Sequence, residues 1–416
     1  MIPKQQELIY DWNKGGLIDM KGVVHIELDD ETLRDGLQSP SVTDPTIDQK
    51  IKILHMMNDL GIQSANIGLP GAGPRAYNDT LELAKEIARS KLRIFPNCAA
   101  RTVIADIDPV IDISQKAGIP IEVATFVGSS PIRQFVEHWT IDTIASLSDK
   151  AVTYVVEHGL PSMYVTEDTT RAHPDHIELL YTTAINCGAK RVVVADTVGH
   201  ATRTGATNII RFVKDVIENT GQDVKIDWHG HNDRGFALAS SLAAIRAGVD
   251  RVHGTALGIG ERCGNASMDL LLVNLKMMGI IGNDLCRLND YCRLVSEATH
   301  TAVPFNYPVI GPDAFRTATG VHAAAVIKAL NTGNEWLADA VYSGIPAHMV
   351  GRQQKIEIGP LSGESNVVYW LKDHGYEMKD GVVKKIFDYA KHSSRLLTDD
   401  EIETFIETEY PESDRK

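Results

Sequence analysis

The chain has 416 residues, 43% hydrophobic and 23% charged, which is enough apolar material for a full-sized core plus an accessory segment and excludes a small cross-linked scaffold. Its 41 Lys and Arg against 55 Asp and Glu leave a net charge of −14, which repels phosphate backbones and sets nucleic acid aside as a main partner. Five dispersed cysteines without a C-x-x-C pair suit a reducing, cytoplasmic compartment, and the absence of a signal-peptide core or of a run of ~18 apolar residues predicts no membrane role.

Residues 1–22 read as an N-terminal extension. From Val23 onward, short β-branched runs alternate with amphipathic stretches: VVHIEL, SANIGL, RIFPN, IEVATF, MYVTE, RVVVA, VKIDWH and RVHGTA each open a β then α unit. In the first predicted helix, TIDQKIKILHMMNDLG, Ile51, Leu54 and Met57 share a stripe and Gly61 serves as a C-cap. Eight such units between Val23 and Gly279 match the ~250 residues of a (β/α)8 TIM barrel. The rival fold, a doubly wound open sheet, calls for a Gly-rich fingerprint after the first strand, where this chain reads DDETLRDG. After Ile281 the alternation fades, and Pro304, Pro308 and Pro312 mark a linker. The predicted organisation is a catalytic barrel over 23–295, a mainly helical linker subdomain I over 296–358 and a C-terminal subdomain II over 359–416.

Barrel enzymes place their catalytic groups at the C-terminal ends of strands, so the polar residues there are the candidates. Strand one runs into Arg34 and Asp35, strand five into Glu167 and Asp168, strand six into Asp196 and Thr197, and strand seven into His229 and His231; strand eight is followed by GIGERCGN. Two histidines two apart on a strand project to the same face, and Asp35 from across the mouth completes a two-His, one-carboxylate set with open coordination positions. An H-x-H pair alone is weak; its position at a strand end gives it weight. Arg34 beside Asp35 suits either an oxyanion or a structural salt bridge. Glu167 and Asp168 serve either as acid and base or as a rim paired with Arg171. Cys263 reads as a loop residue, since no base flanks it.

Together DETLRDGLQ (Asp30–Gln38), TEDTTR (Thr166–Arg171), ADTVGHAT (Ala195–Thr202), HGHNDRG (His229–Gly235), GIGERCGNA (Gly258–Ala266) and TGVHAAAVIK (Thr319–Lys328) resemble the DRE-TIM metallolyase superfamily, in its acyl-CoA-condensing 2-isopropylmalate synthase branch. The resemblance implies a divalent metal (Mg, Mn or Zn) on Asp35, His229 and His231, with Asn265 touching the metal water. It implies Arg34 as electrophilic helper on the keto oxygen, Thr197 on the 2-oxo acid carboxylate and Glu167 as the active-site glutamate. His322, with Tyr342 as companion, would reach from one subunit into the barrel of the other, making a swapped homodimer. The implied reaction is a Claisen condensation of acetyl-CoA with a 2-oxo acid, foremost 2-oxoisovalerate to 2-isopropylmalate in leucine biosynthesis.

The chain departs from that pattern at named places. The family's E-x-G-F-P run on strand two becomes Asn66-Ile67-Gly68-Leu69-Pro70, so Asn66 replaces a carboxylate beside the substrate and leaves the partner of Arg34 open. The common S-P-I-H becomes Ser130-Pro131-Ile132-Arg133. The segment beyond the barrel is taken up by the linker subdomains, so the family's separate leucine-binding domain is not expected. Rival readings are a citramalate or homocitrate synthase-like acyltransferase and a carbon–carbon lyase of the HMG-CoA lyase kind. The Gly264-Asn265-Ala266 ending weighs toward the isopropylmalate reading, and the loop Glu261-Arg262-Cys263-Gly264-Asn265 weighs against the lyase.

Overall fold

The computed structural model describes residues 8–11, 25–377 and 381–409. Eight parallel strands close into the expected TIM barrel in sequence order, with β1 paired to both β2 and β8. They are β1 (Glu27–Asp30), β2 (Ser64–Asn66), β3 (Phe95–Arg101), β4 (Glu122–Gly128), β5 (Ser162–Glu167), β6 (Arg191–Asp196), β7 (Lys225–Gly230) and β8 (Arg251–Gly254). The run at β6 is almost wholly buried, as expected for a parallel strand covered on both faces. The first strand begins later than the VVHIEL run suggests: Asp29 and Asp30, poor strand formers, pair with His253 and Gly254 of β8, while Val23 and Val24 lie outside the described residues.

Helix α1 (Ile47–Asp59) starts on a capping box between Thr46 and Gln49. Leu54 and Met57 of the predicted stripe are buried; Ile51 is half-buried, and Ile53 and Met56 join the buried face. Gly61 follows the last turn at φ +72, the left-handed conformation that closes a helix. Further helices cover the other strands, among them α2 (Pro74–Ser90), α3 (Ile104–Ala117) and α4 (Pro131–Glu137). Among the described residues, no helix is long and apolar enough to cross a membrane.

The barrel interior is read most simply by the two-residue period of its strands. Glu122, Ala124 and Phe126 succeed one another on β4, Arg191, Val193 and Ala195 on β6, and Arg251 and His253 on β8. The lowest layer is charged. Arg251, only 2% exposed, donates to Asp227 Oδ2 (2.7 Å), Glu122 Oε2 (2.8 Å) and Ser64 Oγ (3.1 Å), while Arg191 donates to Asp227 Oδ1 (2.5 Å) and Glu27 Oε2 (3.0 Å). Above it Ala124, Met163 and Val193 form a thin apolar layer on which the site rests.

Two compact units divide the chain: residues 1–284 with 290–302, and residues 285–289 with 303–416. The second is mainly helical, as expected, with a two-stranded parallel sheet of β9 (Arg316–Thr317) and β10 (Lys355–Ile356). One apolar cluster there is built on Ala323, Val326 and Ile356, and another on Val367, Trp370, Ile386 and Ile402.

Candidate active site

The C-terminal ends of the strands enclose a cavity of about 230 Å³ whose walls include Arg34, Asp35, Asn66, Glu167, Thr197, His229 and His231, so seven residues singled out from sequence converge on one space. Its floor is apolar, with Ala124, Phe126, Met163 and Val193 among the lining residues. The turn after β1 carries Arg34 and Asp35 over the mouth. Opposite, His229 lies at the end of β7, and His231 bridges to Asn265 in the loop after β8.

His229 Nε2 lies 3.4 Å and His231 Nε2 3.7 Å from Asp35 Oδ2, and the ligand-capable atoms of the three residues all fall within 4.8 Å of one another. Burial disfavours the charged form of Asp35, but Arg34 and His229 outweigh it and hold the carboxyl below its usual range. Burial and the adjacent His229 push His231 down to about 4, which leaves a neutral imidazole at neutral pH, the form a metal needs. Asp35 Oδ1 and Asn265 Oδ1 are buried without a hydrogen-bond partner. Two unpartnered oxygens beside two imidazoles fit a divalent cation, and the donor set is of the hard, mixed O/N kind such ions take. Gly260, at φ +147, permits this approach: a Cβ there would run into the Asn265 amide and lie 3.4 Å from Asp35 Oδ1.

Arg34 finds a carboxylate that motif reading missed. Its Nη2 donates to Glu31 Oε1 at 2.8 Å, and its Nη1 lies 3.3 Å from Asp35 Oδ2. Asn66, in the amide orientation its neighbours require, accepts from Arg34 Nε at 3.3 Å and donates to Gly68 O at 3.2 Å. The strand-two position thus still faces the guanidinium, as a neutral group. Burial opposes the guanidinium's charge, yet Glu31 and Asp35 raise its pKa further, so Arg34 is a fixed cation at the mouth.

Glu167 and Asp168 part company. Asp168 takes two 2.7 Å bonds from Arg171 and one of 2.5 Å from Ser130, which makes it the ion-paired rim. Glu167 lines the cavity, 4.0 Å from Arg133 Nη2; burial raises its pKa, helped by Asp168 and Glu261 and opposed by Arg133 and Arg34. Thr197 Oγ1 accepts from Asp168 N at 2.8 Å, which leaves its own hydrogen for a ligand in the cavity. Cys263 is exposed, in keeping with a loop residue. His322 and Tyr342 belong to the second unit, where their rings stack with centroids 4.2 Å apart.

His253 is the other residue missed. Its Nε2 lies 2.9 Å from Asp227 Oδ2 and its Nδ1 3.3 Å from Glu31 Oε1, so both ring nitrogens face carboxylates. Burial opposes the charge, but Glu31 and Asp227 outweigh it and push the pKa up to about 10. The signal was present in the sequence as Asp29-Asp30-Glu31, three acids in succession at a strand position, which a barrel interior tolerates only when cations answer them.

The model of the HMGL-like family matches residues 25–295 of this chain. The chain is similar to the homocitrate synthase AksA of Methanopyrus kandleri, 33% identical over 368 residues that cover 87% of this chain and 86% of that protein. It is similar also to the 2-isopropylmalate synthase of Methanocaldococcus jannaschii, 32% identical over 388 residues, 91% of this chain and 70% of that one. Among solved structures, the HMG-CoA lyase of Bacillus subtilis superposes with a TM-score of 0.55 at 19% identity, over 68% of this chain and 96% of the lyase, a likeness of fold.

Proposed function

The chain belongs to the HMGL-like family, of the DRE-TIM type, and from that premise we propose that it condenses acetyl-CoA with a 2-oxo acid, 2-oxoisovalerate before others, in a 2-isopropylmalate synthase reaction. The observation that carries this reading is the Asp35, His229 and His231 set with its two unpartnered oxygens, beneath a fixed Arg34 and above an apolar floor. Asp35, His229 and His231, with Asn265 beside them, would hold a divalent ion, which when bound supplies Lewis-acid polarisation of a ketone.

The chain's own groups do the rest. Arg34 directs a permanent positive charge into the mouth, where negative charge develops on the keto oxygen as the new carbon–carbon bond forms. Thr197 donates to the oxo-acid carboxylate. Glu167, whose pKa burial raises above the usual glutamate range, is a stronger base than an exposed carboxylate; it takes the proton from the thioester methyl. The apolar floor of Ala124, Phe126, Met163 and Val193 accepts a branched side chain. His322 and Tyr342 act from the partner subunit of a homodimer, closing the mouth during hydrolysis of the thioester.

A homocitrate-type reaction on 2-oxoglutarate is the second reading, favoured by the likeness to AksA and by Arg262 in the cavity wall. That guanidinium is already engaged by Asp233 at 2.9 Å and by the Thr197 carbonyl at 2.5 Å, which places it second. Free-thiol release from acetyl-CoA across pyruvate, 2-oxobutyrate, 2-oxoisovalerate and 2-oxoglutarate separates the two. The expected order puts 2-oxoisovalerate first in kcat/KM. A higher value for 2-oxoglutarate would replace the substrate, and no release with any acid would overturn the condensation.

A further inference from the structure

Glu31 directly follows β1 at 3% exposure, and none of the motif readings gave it a role. Its two oxygens face different partners. Oε1 receives the 2.8 Å bond from Arg34 Nη2, and Oε2 lies 2.8 Å from His229 Nδ1. The opposite nitrogen of the same imidazole, Nε2, is the one 3.4 Å from Asp35 Oδ2. A neutral imidazole carries one N–H and one lone pair, so a carboxylate beside Nδ1 keeps the hydrogen there and leaves the lone pair at Nε2, facing Asp35 and His231.

We propose that Glu31 is the positioning carboxylate of this centre: through one oxygen it sets the tautomer and ring orientation of His229, and through the other it anchors Arg34 over the same mouth. The neutral Asn66 on β2 meets the guanidinium only at Nε, and Glu31 is the acid that joins Arg34 to the Nδ1 side of the histidine. A bystander that merely neutralised Arg34 and His253 would leave divalent-ion affinity unchanged when altered. A carboxylate acting through His229 would not, because groups that orient a ligating histidine contribute about 10- to 100-fold to affinity.

The inference rests on the metal reading above, and the test separates the two. Mn2+ alone is titrated calorimetrically into the wild-type full chain, Glu31→Gln and Glu31→Asp, with thermal melts confirming the fold of each. Glu31→Asp keeps the charge but shortens the reach by one methylene, and it serves if the Gln variant does not fold. Both variants are expected to bind Mn2+ about 10- to 100-fold more weakly than wild type. Adding Asn66→Glu to Glu31→Gln returns a carboxylate to Arg34 but not to His229, so it is expected to recover KM for the oxo acid while Mn2+ affinity stays low. Wild-type binding with both Glu31 variants within about twofold of it would overturn this inference alone; failure of the wild type to bind Mn2+ would overturn it together with the metal reading.

Discussion

The buried imidazole of His253 yields a prediction about stability whose size and sign follow from its surroundings. Asp227 and Glu31 face its two nitrogens at 2.9 and 3.3 Å, Asp29 lies 3.9 Å from Nδ1, and the ring of His229 stands edge-on with its centroid 5.7 Å away. Burial disfavours the charge, the carboxylates prevail, and the pKa rises from 6.5 to about 10. A folded-state pKa above the unfolded one gives stability that is complete below about pH 6.5 and disappears as pH rises through about 10. At about 1.4 kcal/mol per unit, the whole effect is on the order of 5 kcal/mol, and the part lost between pH 7 and pH 8.5 is about 2 kcal/mol. Urea unfolding of wild type and His253→Gln at those two pH values, with a chelator present so that metal binding does not enter the linkage, measures it. The wild type should lose about 2 kcal/mol more than the variant across the interval. Parallel losses in the two proteins would refute the reasoning, since every other titrating group is common to both.

Three further outcomes bear on the site. His231→Ala should lose stoichiometric Mn2+ in calorimetry and at least about 100-fold in turnover, because Lewis-acid stabilisation is worth several kcal/mol; retained binding at full stoichiometry would place the ion elsewhere. Glu167→Gln should lower kcat by about 10²- to 10⁴-fold with little change in KM, and should abolish the acid limb of the pH–rate profile, which in the wild type falls as pH drops through a pKa above the usual glutamate value. Mixing His322→Ala with Arg34→Ala protein should restore part of the activity each lacks alone; demonstrated heterodimers that stay inactive would rule out a shared site.

Much of this architecture was legible in the chain because its signals are local. RVVVA and VKIDWH announce buried strands by composition, and the barrel rule then points to the residues at or just past each strand's C-terminal end, among them Asp35, Thr197, His229 and His231. The separation of Glu167 from Asp168 was not legible. Adjacent carboxylates look alike in sequence, and it is Ser130, 38 residues away, together with Arg171 that draws one into the rim. Glu31 and His253 escaped for the same reason. Their partners come from β1, β7 and β8, and a buried charge has meaning only through groups that the closed barrel brings to it. Asn66 was noticed as a missing carboxylate, yet the carboxylate that does serve Arg34 is Glu31, three residues before it in the same turn, at a spacing that reads in sequence as part of an acidic strand end.

Formation of a carbon–carbon bond between an acetyl group and a 2-oxo acid, with the help of a divalent ion, is tested most directly with acetyl-CoA labelled with 13C at the methyl carbon. The labelled thioester is incubated with 2-oxoisovalerate and the full chain, and the product is read by mass spectrometry and NMR. The expected result is a single 2-hydroxy dicarboxylic acid with the label in a new methylene, one free thiol per product, loss of both on chelation and recovery with Mn2+. Thiol release that leaves the label in acetate, or product formation undiminished by chelation, would contradict it.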